Sequence, residues 1–99
     1  MTNQTIRVVA RIVALPEKVE AVKAVLLAII EPTRQEAGSI KYELLQNQSD
    51  PTDFTFVEEW ASHDALDAHL ATAHIEEAGA KLAGSLAAEP DIRRYSVLA

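Results

Sequence analysis

Cysteine is absent from this chain, which excludes disulfides, thiolate nucleophiles and cysteine-ligated metal or iron–sulfur centres. Positive charge is scarce too. Nine Lys and Arg stand against fifteen Asp and Glu, the net charge is −6, and only Arg93 and Arg94 are adjacent. Nucleic acids and anionic membranes are held by clustered cations, so neither is expected as a partner. No apolar run approaches the ~20 residues of a membrane-spanning helix. The opening Met1-Thr2-Asn3-Gln4-Thr5 lacks the basic start and apolar core of a secretion signal, and the cytoplasm is the expected compartment. There is no linker, repeat or low-complexity tract. What remains, 99 residues that are 48% hydrophobic and 24% charged, reads as one globular domain over 1–99. So short a chain buries a modest share of its surface, and dimerisation would help it.

Residues 5–15 are rich in β-branched side chains and read as a strand. Ile6, Val8, Ala10, Ile12 and Ala14 share one face, and Arg7, Val9, Arg11 and Val13 the other. Pro16 ends it and opens a helix. From Glu17 to about Gln35 apolar residues recur at helical spacing (Val19, Val22, Leu26, Ile29, Ile30). Pro32 is expected to kink or end this helix, because it removes one hydrogen bond. Gly38 is a natural stop. Ser39–Gln48 sets Ile40, Tyr42 and Leu44 against Lys41, Glu43 and Leu45. After a turn at 49–53, Phe54, Phe56, Glu58 and Trp60 alternate with Thr55, Val57 and Glu59, and the short connection predicts an antiparallel hairpin. Ser62 is a helix N-cap, and Leu66, His69 and Leu70 form the inward stripe. A break near Thr72 separates this helix from a second series, Ile75, Ala78, Leu82 and Leu86. Ile92–Leu98 is a last strand.

The order β-α-β-β-α-α-β predicts an α+β fold, one antiparallel sheet with its helices on one face. The opposite face is not cleanly polar, since Val9, Val13, Leu45, Val57, Tyr95 and Val97 fall there among charges. A water-facing sheet surface is expected to be polar. A second copy of the sheet, hence a homodimer, is the expected cover.

Ala10-Arg11, the stretch Glu31–Gly38, Tyr42-Glu43-Leu44, Glu58–Ser62, Ala65-Leu66, His69-Leu70 and Thr72-Ala73-His74 resemble the antibiotic biosynthesis monooxygenase family, nearest to its small quinol-monooxygenase type. The resemblance runs from about Ile6 to Val97. It implies ferredoxin-like units paired into a dimeric α+β barrel, with a pocket between each sheet and its helices. It also implies oxidation of a small quinol or phenolic aromatic by O2 with no cofactor. Other members cleave haem, isomerise a small phosphorylated signalling metabolite, or have no assigned reaction. Haem-cleaving members carry asparagine, tryptophan and an axial histidine where this chain has Ala10, His69 and a position near Gly79, so haem degradation is not expected. Members acting on large polyketide phenols carry asparagine where this chain has Phe56, which implies a smaller, more apolar pocket.

Such chemistry asks for a base near neutral pKa in an apolar pocket, to generate an anion that gives an electron to O2. His69 is read either as that base or as a buried histidine held by a carbonyl or carboxylate. Glu58 is read as the group orienting His69, or as half of a salt bridge. Trp60 is a pocket wall or core, and Tyr42 donates to a substrate oxygen or packs through its ring. His74 caps its helix or lines the pocket mouth. Arg11, with Arg94, is the cation available to an anionic substrate. On a continuous helix His69 and His74, five apart, would sit about 140° around the axis, and no metal site is expected. The alternatives to an enzyme are a non-catalytic dimer sheltering a small aromatic, and an isomerase of a phosphorylated metabolite.

Overall fold

The structure is a computed structural model that describes residues 5–99. Met1–Gln4, on which the reading of a missing secretion signal rests, lie outside the described residues. Four strands, β1 (Ile6–Val13), β2 (Ser39–Gln46), β3 (Asp53–Trp60) and β4 (Asp91–Tyr95), form one sheet of order β2-β3-β1-β4, every pairing antiparallel. Helices α1 (Val19–Ala28), α2 (Ile30–Arg34), α3 (His63–Leu70) and α4 (Ala73–Leu82) supply the residues that bury its other side. This is the ferredoxin-like α+β arrangement the sequence predicts. No helix among the described residues is long and apolar enough to cross a membrane.

Period-two alternation places the core. The β1 burial pattern alternates strictly over Ile6, Val8, Ala10 and Ile12, and in register Trp60, Glu58, Phe56 and Phe54 of β3 lie beside them. Phe54, Trp60, Leu26 and Leu66 belong to the core between sheet and helices, nearly inaccessible to water. Full burial of a side chain of this size contributes about 1.5–3 kcal/mol.

Two local departures have physical causes. The helical stretch breaks at Ile29, three residues before Pro32. A proline has no N–H for the carbonyl four residues back and its ring crowds that carbonyl; here the carbonyl is that of Ala28, the last residue of α1. In β2 the register slips between Ser39 and Lys41, a bulge that throws Ile40 out of the expected Tyr42 and Leu44 face and leaves it 54% exposed. The last strand closes at Tyr95, short of Leu98.

The sheet's outer face carries the ion pairs Arg7–Glu59, Arg11–Asp53 and Lys41–Glu43. Between them Val9, Leu45 and Tyr95 are exposed, as is Val97 just beyond β4.

Gly38 ends the α2–β2 turn at φ +88°. Its carbonyl accepts the Ala61 N–H at 2.8 Å, and a Cβ built on it would lie 2.6 Å from Ala65 Cβ. Gly38→Ala is expected to cost about 2 kcal/mol or more, summing left-handed strain and overlap. Adding Ala65→Gly should recover the overlap and leave the strain, as read by urea unfolding.

Candidate functional site

Between the sheet and α3 and α4 lies a cavity of about 150 Å³. Its size is below the ~300–1,000 Å³ of clefts for drug-sized ligands, which suits one small molecule. Aliphatic side chains and Phe56 make most of its wall, and Tyr42, Glu58 and His69 are the polar side chains that line it among the described residues. No Lys or Arg does.

Each of the three arrives by local rule. Tyr42 and Glu58 are cross-strand neighbours in the β2–β3 register, on the face that looks at the helices. Arg34 at the end of α2 donates to the Tyr42 carbonyl through Nε at 3.2 Å and Nη2 at 2.8 Å, tying that helix to the strand. His69 sits one turn after Ala65 on α3, a helix begun by the Ser62 hydroxyl accepting the Ala65 N–H at 3.1 Å.

His69 is 3% exposed. Its ring lies 4.6 Å from the Trp60 ring and 5.5 Å from the Tyr42 ring, centroid to centroid. Nδ1 is 2.8 Å from Oε2 of Glu36. An ionised carboxylate only accepts, so Nδ1 carries the proton and Nε2 keeps its lone pair. Among the described residues Nε2 has no hydrogen-bond partner; it is the nitrogen left for the cavity. Burial holds the imidazole below the ordinary histidine range, with Glu36 pulling the other way. His69 is therefore held toward its neutral form, its ring oriented by the Glu36 carboxylate.

Glu58 is equally buried, and its Oε1 accepts the Trp60 indole N–H at 2.7 Å. Burial pushes its carboxyl up to about 7; the Trp60 bond opposes this and the negative Glu36 adds to it. Burial and the nearby Glu58 charge raise the Tyr42 phenol as well, so it stays a hydroxyl donor.

The structure thus gathers His69, Glu58 and Tyr42 around one cavity. Trp60 stands behind them, fully buried, backing both His69 and Glu58. The expected orienting role of Glu58 is corrected, because Glu36 holds the His69 ring. His74 lies outside the cavity lining, its Nε2 at 2.7 Å from the same Glu36 oxygen. Arg11 does not reach the cavity: odd-numbered β1 residues face the other way, and it pairs with Asp53 at 3.0 Å. Arg94 is held by Asp67 at 2.7 Å. The expectation that His69 and His74 point apart also fails, since the helix stops at Leu70 and restarts at Ala73.

Glu36 is the residue that sequence reasoning missed. It follows α2 in a turn, and its partners lie 33 and 38 residues further on. No local spacing announces such a contact. The one available signal is that a buried histidine needs a polar partner.

Residues 5–81 match the antibiotic biosynthesis monooxygenase family. The chain is 35% identical over 69 residues to Rv0793 of Mycobacterium tuberculosis, provisionally named a monooxygenase, covering 70% of this chain and 67% of that protein. It is 33% identical over 95 residues to sll1783 of Synechocystis sp., covering 96% of this chain but only 65% of that relative's length. The crystal structure of PA3566 from Pseudomonas aeruginosa superposes with a TM-score of 0.93 at 29% identity, over 100% of this chain and 99% of that one. By matched residues and by shared fold, the chain belongs to the antibiotic biosynthesis monooxygenase family.

Proposed function

We propose that this protein is a monooxygenase that oxidises a small quinol or phenol with O2, needing neither metal nor flavin, with His69 as the base. One observation carries the reading: a buried imidazole, held by Glu36 through Nδ1, offers Nε2 to a small apolar cavity. The name given to Rv0793 points the same way.

The substrate hydroxyl gives its proton to Nε2 of His69, and Glu36 stabilises the imidazolium. The ring anion passes an electron to O2, the resulting radical pair closes a C–O bond, and the imidazolium returns its proton to the outer oxygen to give a hydroperoxide. The C–H bond at that carbon then breaks, and its electron pair forms the new C=O as the O–O bond cleaves. Glu58, protonated in part at neutral pH, supplies the proton with which the distal oxygen leaves as water and takes up the one the carbon loses. Quinol and O2 then become hydroxyquinone and water. Tyr42 donates to a substrate oxygen, and Trp60 fixes the two acid–base groups from behind.

A non-catalytic role in sheltering an aromatic would use the same cavity without oxygen uptake. The phosphate-binding isomerase draws no support, because Arg11 and Arg94 are engaged elsewhere. We also propose that a second copy covers the sheet's outer face, where Val9, Leu45, Tyr95 and Val97 are exposed among ion pairs.

Three outcomes are expected. His69→Ala should slow oxygen uptake with a dihydroxynaphthalene by about 10²-fold or more, the scale of a lost general base; an unchanged rate removes His69 from the mechanism. Glu58 should make stability depend on pH. Its folded value of about 7 exceeds the ordinary 4.5, so the folded state holds an extra proton in that window and stability falls as pH rises through it. Urea unfolding should show Glu58→Gln gaining on the parent by up to about 3 kcal/mol between pH 5 and pH 8, at ~1.4 kcal/mol per unit. Equilibrium sedimentation should return two chains per particle; a single chain at millimolar concentration overturns the dimer.

A further inference from the structure

Glu36, His69 and His74 each offer one ligand atom, and the three atoms lie within 4.8 Å of one another. They come from three elements, and the pause between α3 and α4 brings them together. Thr72 takes an extended backbone there, and both its N–H and its hydroxyl donate to the His69 carbonyl, at 3.1 and 2.8 Å. The chain turns on that carbonyl, so two histidines five apart meet one carboxylate oxygen. Among the described residues no Lys or Arg pairs with Glu36, whose charge is felt at both Glu58 and Tyr42. The cluster is anionic, partly buried and open on the His74 side, where that side chain is 24% exposed.

We infer that Glu36, His69 and His74 form a binding site for a divalent transition-metal ion of the zinc type, and that filling it switches off the base. Two imidazole nitrogens and one carboxylate oxygen suit Zn2+ and its neighbours and do not suit Mg2+ or Ca2+, which prefer oxygen throughout. Three protein ligands leave a fourth position for water. Coordination needs Nδ1 of His69 and Nε2 of His74 free of protons. The neutral His69 ring therefore moves its proton from Nδ1 to its other nitrogen rather than releasing it. His69 Nε2 then carries N–H and has no lone pair for a substrate proton. This coupling rests on the reading of His69 as the base; the binding itself does not.

The test titrates ZnCl2 into the full-length protein against a chromophoric chelator. One zinc per chain is expected, weakened at least tenfold by His74→Gln and by Glu36→Gln, and unchanged by His63→Gln, which removes an exposed histidine paired with Arg94. Nitrogen-15 spectra of the imidazoles should show the His69 proton moving from Nδ1 to Nε2 on zinc addition. No stoichiometric binding at millimolar zinc, or parental affinity in His74→Gln, overturns the site. Zinc bound there with quinol oxidation unslowed overturns the coupling, and with it the base assignment, while the titration still judges the site on its own.

Discussion

One carboxylate oxygen, Oε2 of Glu36, accepts hydrogen bonds from two imidazoles, and the chemistry of the cavity follows from that sharing. Without it His69 would be a buried ring free to carry its proton on either nitrogen. With it the tautomer is fixed and the lone pair is directed. The same oxygen ties the turn after α2 to the junction of α3 and α4, so the His69 ring is positioned from three parts of the chain. Buried polar groups cost free energy unless partnered. Here the partnering also decides which ring nitrogen keeps its lone pair.

The electrostatics form one system. Glu36 pulls His69 toward its charged form while burial pulls it back, and the same negative charge pushes Glu58 and Tyr42 toward neutrality. The cavity therefore holds an imidazole kept toward its uncharged form, a carboxyl poised near neutrality and a phenol that stays protonated. Such spreading of acid–base strengths among close neighbours is how one pocket can both take and give protons at one pH. Trp60 contributes mechanically: its indole N–H occupies one Glu58 oxygen and its ring backs His69.

Much of this was legible in the residues. Alternation along β1 and β3 gave the inner face, Ser62 marked the start of α3, and the gap before Ile75 marked its break. The same pattern set Tyr42, Glu58 and His69 each on a largely apolar face of its element, without fixing that the Glu58 face meets the helices. What it hid was nonlocal or subtle. Glu36 belongs to the site only through tertiary folding. The bulge at Ile40 looks like uninterrupted alternation, and Pro32 acts four residues upstream of itself. Arg11 stands outside the site because a residue next to a pocket-lining one on a strand faces away from the pocket.

Gly38 extends the reach of the site into the scaffold. Ala65, which closes on it, stands one helical turn before His69 on the same side of α3. The depth at which the imidazole enters the cavity is thus gauged by bare backbone at a turn far along the chain. A single methyl there would act as a shim, lifting the helix and carrying the His69 ring with it.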